Sequence, residues 1–454
     1  MLKMMRAAPG VPPRQAYYGL FLLWLVYVFA NIDRFAIGIA LQEIKKDLLL
    51  TDTQLGMISG LFFIVPYIVF GFPISRWLDR GVRRNILAWS VGFWSLMASA
   101  TGAAVGFVQL ALARAGLGAG EAACIPAAVS LIGDLFHRSW RSQAIGIFNS
   151  GLAIAGFVGT PILGMMTDHY GWRVALISFG AVGLLVALLI ALTLKEPPRA
   201  AIAEQAQSGE PAGERKSVLE SLRIMFAIPT FRYLVLGHGI YGIGIFSWVS
   251  WYGVSLIRTY GMTYTEIGFF IGTGLGMVML LSGVGSGFLC PLVARRTGND
   301  RWMVLLPAIA CLASVPALAV TGFAVPQWLA MASGAAVLAM TAMRTAPLIA
   351  VTMDLLPSAM HGLATMVFVT LTSHLGAAIG PILVGIASDS VKGSMDDAAA
   401  LRYGLLVTGP VFGLIGALIA FVPAFYLRRN GLAEESTVEP VAGMVPAPTG
   451  PSKS

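Results

Sequence analysis

Three charged residues stand in stretches that otherwise belong in hydrocarbon: Asp33 and Arg34 in LFLLWLVYVFANIDRFAIGIAL, and Glu121 in ALARAGLGAGEAACIPAAVSLI. A charge at membrane depth costs roughly 2.5–3.5 kcal/mol on insertion scales, and it normally faces a bundle interior or a wetted path. An adjacent acid and base plus a separate acid exceed what a static ion pair between two helices requires. The chemistry open to them is proton exchange and anion binding. Glu121 lies about 12 residues from either end of its run, roughly 18 Å deep at the helical rise. Burial and a nearby guanidinium act on such a carboxyl in opposite senses, so its protonation can switch as a cavity wets and closes. The expectation is that Glu121, with Asp33, carries a coupled proton. Arg34, Asn31, Arg344 and Glu121 itself are expected to contact the substrate. Arg344, in MTAMRTAPL, is the intramembrane charge of the second half. No acid lies near the middle of any second-half run, so its expected partner is Glu121, Asp33 or a phosphate or carboxylate of the substrate. Arg114 precedes Glu121 by two helical turns and projects from the same face.

The elements that hold these residues are apolar helices. The chain has 454 residues, 57% hydrophobic and 11% charged, with mean hydropathy +0.78, against about 25% charged in soluble domains. Twelve runs long enough for tilted spans recur, at 17–41, 54–75, 85–107, 109–133, 142–166, 173–194, 231–257, 266–291, 303–322, 326–355, 362–388 and 401–427. They are too long and continuous for alternating barrel strands, so the expected fold class is an all-α membrane protein. The basic residues fall in alternate loops: Lys3, Arg6 and Arg14; Arg76, Arg80, Arg83 and Arg84; Arg138 and Arg141; Arg199, Arg215 and Lys216; Arg295, Arg296 and Arg301; Arg428 and Arg429. The other loops hold chiefly Lys45, Lys46, Arg173, Arg258, Lys392 and Arg402. This bias places both termini in the cytoplasm, and it explains the net charge of +8 without nucleic-acid binding. Cys124, Cys290 and Cys311 fit neither a disulfide framework nor a zinc pattern and are expected as buried thiols.

The segment KEPPRAAIAEQAQSGEPAGERKSVLESLR reads as a linker, with a short surface helix expected at 215–226. The organisation is then a cytoplasmic tail 1–16, a six-helix bundle 17–195, a cytoplasmic linker 196–229, a second bundle 230–427 and a disordered tail 428–454. The halves resemble each other. PAAVSLIGDLF from Pro126 matches PLIAVTMDLLP from Pro347, and TPILGMMTD around Pro161 matches GPILVGIASD around Pro381. Such spacing implies parallel repeats with the substrate site near the midplane between them.

The loop PISRWLDRGVRRN resembles the signature loop of the major facilitator superfamily, with Asp79, Arg80, Arg83 and Arg84 in the charged positions; Ser75 and Val82 replace its usual glycines. GFLCPLVARRTGNDR is a degenerate echo in the second half. NIDRF at 31–35 and RAGLGAGEA at 114–122 resemble the first and fourth helices of the spinster branch, known for proton-linked lipid transport. The resemblance is specific over 17–199 and superfamily-level afterwards. It implies two pseudo-symmetric six-helix bundles, alternating access and a proton-coupled amphiphilic or anionic substrate, with lysolipid-like or sphingoid-like lipids first. Organic-anion symporters of the superfamily share the Asp-Arg and Gly-Glu-Ala steps, so a small carboxylate symporter is the alternative, and a proton-driven drug exporter the next.

At the cytoplasmic ends, Asp79, Arg80, Arg83, Arg84, Asp134 and Asp354 are expected to form gating pairs, and Arg114 is grouped with them. The same arginines also serve topology. His238 and His374 read as helix contacts, GLAIAGFVGTPILG and GAAIGPILVG as hinge or packing segments, and Trp248, Trp251 and Tyr252 as interface aromatics. No phosphate-binding loop or dinucleotide fingerprint is present, and no nucleophile–base set or metal-ligand cluster is evident. The expectations are therefore no enzyme activity, no cofactor or metal, and a monomer in a bacterial inner membrane. Its partners would be protons, membrane lipids and a small-molecule or lipid substrate.

Overall fold

The computed structural model describes residues 6–198, 218–357 and 360–427. Among them, eleven helices are long and apolar enough to cross a membrane. These are α1 Pro13–Leu48, α2 Asp52–Arg80, α3 Arg83–Ala103, α4 Phe107–Leu135, the long Arg138–Thr193, α7 Pro229–Tyr260, α8 Tyr264–Thr297, α9 Trp302–Thr321, α10 Gln327–Asp354, α11 His361–Val391 and α12 Asp397–Tyr426. Arg138–Thr193 has 56 residues, far more than the ~20 a bilayer needs. It breaks at Gly171, whose φ of 79° and ψ of 161° no side-chain-bearing residue adopts readily. It therefore supplies two crossings, α5 (138–170) and α6 (172–193), and the chain makes twelve. The expected surface helix is Val218–Ala227. The arginines and lysine at 199, 215, 216, 428 and 429, Lys3 and the tail 428–454 lie outside the described residues.

The crossings form two six-helix bundles, α1–α6 and α7–α12. With an even number of crossings, both ends of the described chain share one face, here the terminal face, opposite a distal face. In lipid there is little hydrophobic drive between helices, so close backbone approach does much of the packing. The seam between the bundles is built that way from α2 against α11 and α5 against α8. A methyl group on Gly56 would sit 2.4 Å from the Pro381 carbonyl oxygen, and one on Gly164 2.3 Å from that of Tyr264. Both contacts lie in the distal half. In the terminal half of the same four helices, a side chain at Gly71, Gly146, Gly285 or Gly362 would meet no atom within 4 Å. The bundles are clasped on the distal side and parted on the terminal side.

Each of these four helices also carries a π-helical stretch: Met57–Leu61 in α2, Ala155–Gly159 in α5, Gly268–Leu275 in α8 and Thr370–His374 in α11. Such stretches often accompany functional bends, and here they fall where the helices pass from clasped to parted. The three cysteines are buried and unpaired.

Candidate functional site

α4 and α10 are interrupted at equivalent places. α4 consists of Phe107–Glu121 and Cys124–Leu135, joined by a turn at 122–123. α10 consists of Gln327–Ala342 and Thr345–Asp354, joined by a turn at 343–344. Pro126 and Pro347 follow these turns. Proline has no N–H to give to the carbonyl four residues back, so the helix opens there. Glu121 and Arg344 sit at the two interruptions.

In the first bundle, Arg34 Nη2 lies 2.5 Å from Glu121 Oε1. The expected pairing of these two residues is what this state holds. Glu121 is 2% exposed, whereas the Arg34 side chain keeps 33% of its surface. Glu121 Oε2 and Arg34 Nε are buried with no protein partner, so the pair retains unused hydrogen-bonding capacity. The Arg34 guanidinium lies 5.5 Å from the centre of the Phe63 ring and 5.3 Å from that of Tyr67, at separations that favour a cation over a π face. Tyr67 in turn meets His374 of α11 edge-on, 5.6 Å between ring centres, so the ion pair sits where the two bundles touch.

Asp33 and Arg34, though adjacent, point apart, as neighbours on a helix must. Asp33 lines a small separate cavity inside the first bundle with Thr101, Arg114 and Leu117. Phe63 stands between the two basic groups, with the Arg114 guanidinium 5.1 Å from its ring centre. Asn31 donates from Nδ2 to the Tyr27 carbonyl at 2.7 Å, one turn back in α1.

In the second bundle Arg344 is buried and forms no ion pair with a carboxylate among the described residues. Its guanidinium lies 5.4 Å from the Tyr241 ring centre, and its Nε has no protein partner. The Tyr241 hydroxyl is shared with Ser314 at 2.8 Å and Thr341 at 2.9 Å. His238 is buried beside Cys311, Nδ1 to Sγ 3.9 Å. Burying a cation without an anion is expensive, which makes Arg344 a natural receptor for a charge brought from outside the chain.

Of the residues grouped for gating, all but Arg114 lie on the terminal face. Arg83 reaches Asp134 at 2.5 Å, Glu196 at 2.9 Å and the Ser130 hydroxyl at 2.9 Å. The Arg84 amide donates to Glu196 Oε2 at 2.8 Å. These bonds all tie α3 to other parts of the first bundle. Asp79, Arg80 and Asp354 are exposed, and Arg114 is in the bundle interior. Glu196 stands at the start of the linker, and only the fold brings it to Arg83.

A second ionic network, on the distal face, was not foreseen from sequence. Asp52 of α2 is fully buried and pairs with Arg258 at 2.8 Å, Lys45 at 3.0 Å and Lys392 at 3.2 Å, and it accepts from the Ser388 hydroxyl at 2.7 Å. Arg258 also donates to Gln42 at 2.6 Å, and Lys45 contacts Asp397. Burial works against the charge of Lys392, but its hydrogen bond to Asp389 and the field of Asp52 hold its ammonium above the usual lysine value. The network bolts α1 and α2 to α7, α11 and α12. In sequence its basic members look like ordinary loop charges, and it is the fold that gathers them around Asp52.

Residues 23–381 match the family model of the Major Facilitator Superfamily. The chain is a member of that superfamily. This transporter is 28% identical to an MFS-type efflux pump of Mycolicibacterium smegmatis, over 93% of its own length and 96% of the relative's. It is 28% identical to the hexuronate transporter of Bacillus subtilis, over 61% and 65% of the two chains. Among solved structures it resembles a bacterial homolog to the human lysosomal transporter Spinster in an inward-facing, unoccupied conformation, with TM-score 0.78, 25% identity and coverage of 91% and 97%. The superfamily fold and the spinster-like character expected from NIDRF and RAGLGAGEA are thus both found.

Proposed function

We propose that this transporter is a proton-coupled carrier of an anionic, amphiphilic organic molecule and works by alternating access. The observation that carries the reading is the unequal pair of buried charges at equivalent helix breaks: Glu121 already neutralised by Arg34, and Arg344 with no carboxylate among the described residues. In this reading the substrate's phosphate or carboxylate supplies the missing anion at Arg344 and competes for Arg34. Glu121, released from Arg34, takes up a proton and so is not left as a bare buried carboxylate. Asp33, in its separate cavity with Arg114, is a second proton-holding group. Asn31 keeps the α1 turn that aims Arg34. The parted side of the protein is then the cytoplasmic side, consistent with the loop charges, and the state described is inward-open. The terminal-face set of Asp79, Arg80, Arg83, Arg84, Asp134 and Asp354 closes that side in the opposite state.

Apolar surface on the Arg34 side of α2 favours a lipid-like substrate. Phe70 and Trp77 are exposed one and two heptads after Phe63, on the face of α2 that meets Arg34. An acyl chain suits such a surface, and a sugar acid does not. The similarity to a hexuronate transporter favours a second reading, a small organic acid. Proteoliposomes with an imposed pH gradient test both, using a lysophospholipid in one arm and a hexuronate in the other. Gradient-driven uptake should fall at least about tenfold in Glu121→Gln, the loss of one proton-transfer group. Unchanged driven uptake in that variant sinks proton coupling through Glu121, and the responsive arm identifies the substrate class.

A further inference from the structure

The distal clasp has an internal symmetry that the charge network conceals. α2 begins TDTQLG at Thr51 and α8 begins TYTEIG at Thr263. Each start forms its own capping box, Thr51 with Gln54 and Thr263 with Glu266. A capping box serves the third amide of a helix and the cap residue's own amide, and leaves the first and second amides without partners. In both helices those two amides are taken by a carboxylate of the opposite bundle. Asp389 of α11 accepts from the amides of Asp52 at 3.1 Å and Thr53 at 2.8 Å, and from the Thr53 hydroxyl at 2.6 Å. Asp168 of α5 accepts from the amides of Tyr264 at 3.1 Å and Thr265 at 2.7 Å, and from the Thr265 hydroxyl at 2.5 Å. The two acids end the matched segments GPILVGIASD and TPILGMMTD. Beneath each, a glycine brings the helices to contact: Gly385 against the Asp52 carbonyl and Gly164 against that of Tyr264.

We propose that Asp168 and Asp389 are the paired latches of the outer gate, and that the α5–α8 seam is the weaker one. A carboxylate at a helix start is favoured by the helix dipole as well as by the amides. When the bundles part, water takes over those amides, so the bond is strong when closed and cheap to release. The chemistry at the adjacent position differs most. α2 carries Asp52, which gathers Arg258, Lys45 and Lys392, whereas α8 carries Tyr264 at the matching place. Glu43 and Asp47, the acids of α1 near Asp168, are engaged elsewhere: Glu43 accepts the Trp172 amide and Asp47 pairs with Arg173. The α2–α11 latch is therefore backed by cations shared between the bundles, and the α5–α8 latch stands on its carboxylate, close packing and the hydrogen bond from the Thr160 hydroxyl to the Gly268 carbonyl at 3.0 Å.

The inference rests on alternating access but not on the identity of the substrate or on the proton. Its test is a distance measurement that needs neither. Spin labels at Val105→Cys and Phe323→Cys, both exposed at distal loops of opposite bundles, report outer opening in the full chain in nanodiscs, and the native cysteines are buried. Asp168→Ala should raise the long-distance population several-fold. Asp389→Ala should raise it by less than half as much, and Thr265→Val should move it in the same direction as Asp168→Ala. Asp168→Asn, close in size and uncharged, guards against a folding defect and should also open the gate. A wild-type distribution in Asp168→Ala and Asp168→Asn overturns the latch. An equal or larger shift in Asp389→Ala overturns the weaker-seam assignment. The Glu121→Gln flux assay is read separately, so failure of proton coupling leaves this measurement intact.

Discussion

The two helix breaks share a backbone and differ in chemistry. At the α4 break an acid meets a base: Glu121 and Arg34 form a pair near Tyr67, at the contact with α11. At the α10 break a base stands on the face of an aromatic ring, with hydroxyls nearby and no ion-paired acid among the described residues. The repeat kept the proline-opened turn in both halves and assigned different charges to it. One bundle satisfies its buried charge internally, and in the other no carboxylate among the described residues does so.

The comparison is most sharply broken by removing the two arginines in turn. Arg34→Ala takes away the partner of buried Glu121, which must then be protonated or stay charged at a cost, and the purified protein should lose about 2–3 kcal/mol at neutral pH, less than the roughly 3–5 kcal/mol of a fully buried broken pair because Arg34 is partly exposed and protonation relieves the charge. Arg344→Ala strands no acid and should change the melting temperature far less. Equal thermal losses would dissolve the distinction between the sites. The same Arg344→Ala protein should bind an anionic substrate roughly tenfold to a hundredfold more weakly, the worth of a charge-assisted contact, and a neutral analogue about as before. Equal weakening for both ligands in a binding titration would make Arg344 structural. The smallest effect is Tyr241→Phe, which removes the hydroxyl shared by Ser314 and Thr341 but keeps the ring beneath Arg344. It should cost about 1 kcal/mol of stability and leave anion binding nearly unchanged.

Much of this was legible before any coordinates. Twelve crossings follow from the length and apolarity of the runs, and the repeat follows from the proline and acidic landmarks. Asp33, Arg34, Glu121 and Arg344 stand out because charge in hydrocarbon is costly. The separation of Asp33 from Arg34 into two sites was less legible. It turns on which helix faces α1 meets, and a residue pair adjacent in sequence hides a rotation of about 100° between them. The role of Arg83 was also obscured, because its acidic partner Glu196 lies more than a hundred residues away at the start of the linker. The distal network was hidden for a different reason: Lys45, Arg258 and Lys392 look like ordinary loop charges until α2 carries Asp52 among them. The repeated TDTQLG and TYTEIG were a readable sign, since matched capping boxes mark matched helix starts.

Sequence by itself determined the class, the number of crossings and which charges could not be ornamental, since hydropathy and the cost of buried charge act locally along the chain. Only the tertiary structure decided which acid neutralises which base, that Arg344 is left without one, and that the distal side is clasped while the terminal side is parted. Those outcomes depend on contacts between helices far apart in sequence, where close approach of glycine backbone and capture of helix-start amides set the geometry.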